Sequence, residues 1–214
     1  MAQPPENKKT TRKGRGRPMS FDRTELVEKA MHMFWERGFE GVSLNEIAQS
    51  AGLTRASLYN CFGSKEALFQ EAMALYDQQS PDASFGKLRE GQSVGQALFD
   101  FFDETCKQRA GDDTPKGCLA ANCINELGAI ETKLGQKVQG DFKRKKATIR
   151  QMLDRAKARG EIPPGSDCAG LADLMMTFMV GLSTFSKTRP TETEMRRLCE
   201  LFLNQMGFTR SEFA

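Results

Sequence analysis

Histidine is almost missing from this 214-residue chain. His32 is the single one, and it sits among apolar residues. A lone imidazole with no paired base or orienting group in sequence lacks the parts of acid–base or triad catalysis, and no glycine-rich phosphate loop is present. No catalytic residue, enzyme activity or cofactor is therefore expected. The six cysteines, at 61, 106, 118, 123, 168 and 199, form no C-x-x-C pair, so zinc-ligand spacing is missing and no metal site is expected. Nothing marks secretion, which argues against a disulfide framework. No apolar run approaches the roughly 20 residues that span a bilayer. The basic N-terminus leads into no apolar h-region of a signal peptide. The expectation is a cytoplasmic protein with no membrane partner. Strand-like alternation and internal repeats are also lacking.

What is present begins with an uneven charge. The net charge is +3, yet Lys8, Lys9, Arg12, Lys13, Arg15 and Arg17 against Glu6 give residues 1–20 a charge of +5, which leaves −2 for the rest. A basic, Pro- and Gly-rich arm on a mildly acidic body points to a polyanionic partner. Without apolar periodicity, this arm is expected to be disordered when free. It contains Gly14-Arg15-Gly16-Arg17-Pro18, whose R-G-R-P is the core of the AT-hook, a motif that lays arginines along a narrow A/T-rich minor groove.

From residue 21 the pattern turns helical. Leu26, Val27, Ala30, Met31 and Phe34 recur at helical spacing. Asp22 is expected to cap this helix, with Glu25 reaching back and Phe21 and Leu26 as a hydrophobic staple; Gly38 ends it. Ser43 with Glu46, Thr54, and Ser64 mark three further helix starts within a short span. Later helices are expected over Val94–Arg109, Pro115–Ile130, Glu131–Arg159 and Ser166–Lys187. Thr191 with Glu194 caps a last one ending near Gly207. The fold class expected is all-α: residues 21–66 a three-helix head, residues 67–214 a helical domain behind it.

Ser43–Phe62, "SLNEIAQSAGLTRASLYNCF", holds two helices too short to be stable alone, joined by Ala51-Gly52-Leu53. Two short helices around a tight glycine turn form a helix-turn-helix, whose second helix enters the DNA major groove. With Leu58 and Phe62 facing the core, Arg55, Ala56, Ser57, Tyr59 and Asn60 are left for double-stranded DNA. Arg55 can donate two hydrogen bonds to guanine. Tyr59 and the hydroxyls of Ser43 and Thr54 suit phosphate, and Lys65 adds charge at a helix N-terminus. Residues 21–69 carry five positive and seven negative side chains, so the arm with Arg15 and Arg17 is expected to matter for affinity. A nonspecific architectural DNA binder is the competing reading.

"FWERGFEGVSLNEIAQSAGLTRASLYNCFGSKEALF", residues 34–69, resembles the TetR/AcrR family of bacterial transcriptional regulators. The resemblance implies a three-helix head, a C-terminal domain of about six helices, and a homodimer that represses promoters until a small-molecule effector binds. Ser43, Tyr59, Phe62 and Lys65 match the family motif. Cys61 departs from the Tyr or His that commonly precedes this Phe and contacts phosphate.

The family's dimer interface uses the last two helices. Here Leu171, Leu174, Phe178 and Leu182 from one, and Met195, Leu198, Leu201 and Phe202 from the other, are the expected contacts. Phe101, Phe102, Met175, Met179 and Cys118 are expected to line an effector pocket. Cys118 offers an alternative input. Asp113–Cys118 reads as a helix beginning, and a thiol in a first turn beside Lys116 is open to electrophiles or oxidants.

Overall fold

A computed structural model describes residues 22–210; Arg15, Arg17 and Phe21 lie outside them. Among the described residues there are nine α-helices and no strand. They are α1 (Arg23–Arg37), α2 (Leu44–Ser50), α3 (Arg55–Phe62), α4 (Lys65–Gln79), α5 (Val94–Ala110), α6 (Leu119–Leu127), α7 (Lys133–Ala158), α8 (Cys168–Ser186) and α9 (Glu192–Gln205), with a 3-10 turn at Pro81–Ser84 between α4 and α5.

Helix starts follow the capping chemistry. The Ser43 hydroxyl accepts the Glu46 N–H while the Glu46 carboxylate accepts the Ser43 N–H, and Thr191 with Glu194 repeats the arrangement. Thr54 and Ser64 accept from Ser57 and Ala67. At α1 the expectation needs correction. Asp22 Oδ1 accepts from Thr24 at 2.8 Å, but the Glu25 carboxylate turns outward to Lys29 one turn on, also at 2.8 Å. A nearby ammonium outcompetes the reach-back.

Helix α6 also differs from its expected start at Pro115. Gly117 has φ +71° and Asp112 accepts the Lys116 N–H, so the chain stays in a loop up to Cys118. Cys118 is therefore the residue before the helix, with no side-chain capping bond, and not a first-turn residue.

Two apolar cores form. One joins α1–α4 to α6 and the start of α7, with Phe34 and Phe39 both packing edge-on against Phe69. Truncating Phe34 or Phe69, both essentially without exposure, would cost about 3–5 kcal/mol. The other joins α5, the end of α7, α8 and α9. The expected boundary after residue 66 falls inside α4, which packs along α1 and reaches α6. Head and body thus share one core, and α6 is the piece of the body built into the head.

Helix α8 corrects another expectation. It is 19 residues long with mean hydropathy 1.5, long and apolar enough by those measures to cross a bilayer. Only 28% of that window is buried within the protomer, so most of its apolar surface faces outward or sits half-covered.

Candidate nucleic-acid interface and the cavities behind it

Helices α2 and α3, of seven and eight residues, are held by their neighbours. Ile47 and Ala48 of α2 and Leu58 of α3 are fully buried beneath α1 and α4. The turn between them closes on backbone bonds: the Leu53 N–H reaches the Ala48 carbonyl at 2.8 Å and the Gly52 N–H the Gln49 carbonyl at 3.0 Å. Gly52 sits at φ +67°, yet a Cβ there would meet nothing within 4 Å. Glycine is required by backbone conformation alone. Arg23 anchors the unit from α1, its guanidinium 4.6 Å from the Phe62 ring and bonded to Glu71 of α4.

This packing leaves one face of α3 outward. Thr54, Arg55, Ala56, Tyr59 and Asn60 are exposed and Ser57 is half-buried. Tyr59, at 59% exposure, is the most exposed large apolar side chain described. The hydroxyls of Ser43 and Thr54 are engaged in capping, Ser43 donating to Glu46 at 2.7 Å and Thr54 lying 2.9 Å from Ser57 Oγ. Lys65 is turned inward. Its ammonium lies 4.2 Å above the Phe39 ring and 3.9 Å from Glu40, which orients it across the head.

The outward surface of α8 and α9 carries Leu174, Phe185, Leu198 and Leu201, with Leu174 and Leu201 about half exposed. Leu171, Phe178 and Phe202 are half-buried, and Phe178 stacks on Phe202 at 3.9 Å to tie the two helices together. Leu182 and Met195, expected at an interface, are instead buried in the protomer's own core. An α8 apolar over a wide arc needs one face for α7 and its own core, and Leu182 lies on that face, while Met195 of α9 packs into the same core.

A cavity of about 460 Å³ lies between α4, α5, α6, α7 and α8. Cys118 and Met179 line it, with Met73, Phe142 and Met176. Phe101, Phe102 and Met175 do not. Phe102 packs edge-on against Phe101, Phe178 and Phe202, and Met175 is fully buried, so these three fill the second core. Of the thiols, Cys123 is pushed up to about 12 by burial. Cys106 and Cys199 face each other at 3.6 Å, where the contact from Cys199 lowers the Cys106 pKa and raises that of Cys199 itself.

Two contacts join this region to the head and a third ties it to α8, and none was visible in sequence because each spans 65 to 87 residues. Trp35 Nε1 of α1 donates to the Gly117 carbonyl at 3.2 Å. The Cys118 N–H donates to Ser183 Oγ of α8 at 2.7 Å. Glu126 of α6 accepts the N–H groups of Phe39 and Glu40, in the loop just ahead of α2. A Cβ on Gly117 would come within 2.8 Å of the Ser183 carbonyl, so glycine here permits a close approach as well as the positive φ.

The same architecture recurs in known proteins. Residues 26–72 match the description "Bacterial regulatory proteins, tetR family", and residues 95–202 match "Tetracyclin repressor-like, C-terminal domain". The HTH-type transcriptional repressor ComR of Escherichia coli K12 is 32% identical over 173 residues, 80% of this chain and 82% of ComR. BdcR, another HTH-type transcriptional repressor of that strain, is 26% identical over 78% of this chain and 80% of its own length. Among solved structures, a cysteine-substituted CifR, a TetR family transcriptional regulator complexed with 26-bp double-strand operator DNA, superposes with a TM-score of 0.77. It is 28% identical, covering 89% of this chain and all of that one. The two matched regions take in both the helix-turn-helix and the helices behind it, and the chain belongs to the TetR family of bacterial regulatory proteins.

Proposed function

We propose that the protein is a cytoplasmic, site-specific transcriptional repressor. It binds a pseudo-palindromic operator as a homodimer and leaves it when a small molecule occupies the cavity lined by Cys118 and Met179. The observation that carries this reading is the outward face of α3, with Arg55, Ala56, Tyr59 and Asn60 exposed on a short helix whose other face, Leu58 and Phe62, is buried in the head. Arg55 reads guanine, Ala56 and Asn60 add base-edge contacts, and Tyr59 with Ser57 touches phosphate. The helix-start hydroxyls of Ser43 and Thr54 lie at N-termini that attract phosphate, and Lys65 adds positive charge there once it swings out from Phe39 and Glu40. The arm, with Arg15 and Arg17, supplies minor-groove and counterion-release affinity that an acidic head lacks. Leu171, Leu174, Phe178, Leu198, Leu201 and Phe202 form the contact between two copies, an isologous patch in which each α8–α9 pair meets its twin.

The effector acts through α6. Ala120, Ala121 and Cys118 of the α6 end line the cavity, and Glu126 at the other end holds the loop ahead of α2. A ligand that displaces α6 moves both anchors of the head, Glu126 and the Gly117 carbonyl under Trp35. The two heads of a dimer then no longer fit half-sites one helical turn apart. Covalent modification of Cys118 is a second route to the same displacement, favoured by its being the one cysteine that lines this cavity. Native alkylation followed by peptide mapping tests it: Cys118 is expected to be labelled through the cavity while Cys123, with its pKa near 12, stays unmodified.

Sedimentation of the reduced protein with a bound duplex tests the main reading. Two chains per pseudo-palindromic duplex support it. One chain per half-site with independent, equal affinities, or saturation at a density set by duplex length alone, would remove it.

A further inference from the structure

Two buried polar side-chain atoms among the described residues have no hydrogen-bond partner: Ser80 Oγ and Arg109 Nη1. They belong to different elements, the end of α4 and the last turn of α5, yet both line one cavity of about 330 Å³ at the junction of head and body. The coincidence is physically expensive. A buried guanidinium N–H with no acceptor and a buried hydroxyl with no partner each cost more than any apolar residue placed there would. Groups left open in this way are completed by ordered water or by a ligand, and two of them in the wall of one cavity can be met by a single bound molecule.

Several other polar groups of this cavity are already engaged. Asp112 accepts from the Thr114 and Lys116 N–H groups, and the Lys116 ammonium sits 3.5 Å from Glu36 and over the Trp35 ring. The buried groups left open are one cationic donor and one hydroxyl, in a wall that also holds His32 and Gln79 and the apolar and aromatic Met31, Trp35 and Tyr76. Trp35 and Tyr76 meet edge-on at 4.9 Å and give the cavity an aromatic side.

We infer that this junction cavity is a ligand site for an aromatic monocarboxylate. Its carboxylate accepts from Arg109 Nη1 and Ser80 Oγ, and its ring lies against Trp35 and Tyr76. One guanidinium matches one negative charge, and the Asp112 carboxylate in the same wall opposes a dianion such as phosphate. The volume suits a one- or two-ring acid and falls at the small end of ligand cavities. The site is separate from the larger cavity that Cys118 lines, although Arg109 stands in the wall between them. Occupancy touches α1 directly, through Met31 and Trp35, without passing through α6.

The chain's single tryptophan, Trp35, lines this cavity and reports on it. The full-length protein is titrated with 4-nitrobenzoate and 1-naphthoate, with 4-nitrobenzamide and 1-naphthamide as uncharged twins, and with inorganic phosphate. Trp35 emission and calorimetry are followed together. The expected result is saturable quenching by at least one acid, with its amide at least tenfold weaker and phosphate weaker still. Arg109→Gln is expected to weaken the acid about tenfold or more and erase the preference over the amide, Arg109→Lys to keep part of it, and Ser80→Ala to lose a few-fold. Without ligand, Arg109→Gln is expected to melt no lower than the parent, because it removes a cationic N–H that is buried without an acceptor. Equal binding of acid and amide, or an acid affinity unchanged in both Arg109→Gln and Ser80→Ala, overturns the inference. So does tighter binding of phosphate, calorimetric binding with Trp35 emission unchanged, or no saturable binding of either acid up to about 10 mM.

Discussion

Glu126 accepts the backbone N–H of Phe39 at 2.8 Å through one carboxylate oxygen, and that of Glu40 at the same distance through the other. The two groups lie 87 and 86 residues apart in sequence. Here a side chain of the body holds the main chain of the head. Gly38, at φ +76°, brings the loop so close that a Cβ would lie 2.7 Å from the same carboxylate.

Glu126→Ala therefore leaves two donors unpaired in a half-buried loop and is expected to cost about 1–3 kcal/mol of stability. Denaturant unfolding reads the loss. The account also requires that the variant bind DNA with a weakened response to any ligand that releases the parent, since the α6 tether is gone. A variant as stable as the parent and fully responsive would remove α6 as the link.

Glu46 gives the head a pH signature. Its carboxylate accepts from Arg37 first, then from the Ser43 side chain and backbone, and these hold its pKa at about 2 instead of the ordinary 4.5. A pKa depressed on folding contributes stability that is fully present above the unfolded value and is lost as pH falls through the folded one. Thermal melts are expected to fall between about pH 4.5 and 2, and Glu46→Gln to flatten that part of the profile. An unchanged acid limb in the variant would show that other carboxylates control it.

Arg55→Ala should leave the fold intact, because the side chain is exposed at the first position of α3. Operator affinity is expected to fall by about 1–3 kcal/mol, with preference relaxed at one base pair in each half-site. A uniform loss at every position, with a shallower salt dependence, would reassign Arg55 to phosphate.

Leu201→Glu and Leu174→Glu place a charge on half-exposed positions of α9 and α8. The protomer's own core does not use them, so each variant is expected to fold and to sediment as a monomer where the parent is a dimer. Leu182→Glu is the contrast: its site is buried within the protomer, and unfolding is the expected outcome. Monomer formation in none of the surface variants would place the interface elsewhere.

The helix-turn-helix was legible because its signals are local. Ser43, Glu46, Thr54 and Ser64 sit within one turn of the amides they cap, and Gly52 answers a backbone requirement at its own position. The start of α6 was misread because Pro115 looks like a first-turn residue while the Asp112 carboxylate and Gly117 keep the chain in a loop. Leu182 of α8 was misplaced for a different reason. A helix apolar over most of its surface does not declare which face its own chain takes and which face another copy takes. Glu126 and Ser183 stayed invisible because nothing in their neighbourhoods reveals partners more than sixty residues away, and Arg109 because the cavity it lines is assembled from separate helices. The arm with Arg15 and Arg17, readable in sequence as a basic tail, lies outside the described residues.

The central claim is that a dimer reads a specific operator. Selection of bound duplexes from a random DNA pool, at near-physiological salt and with thiols kept reduced, tests it most directly. The account predicts enrichment of a pseudo-palindrome whose half-site centres lie about one helical turn apart, with loss of enrichment in Arg55→Ala at one position of each half. Binding without any enriched sequence, vanishing steeply as salt rises, would contradict it and make the protein a nonspecific architectural binder driven by its basic arm.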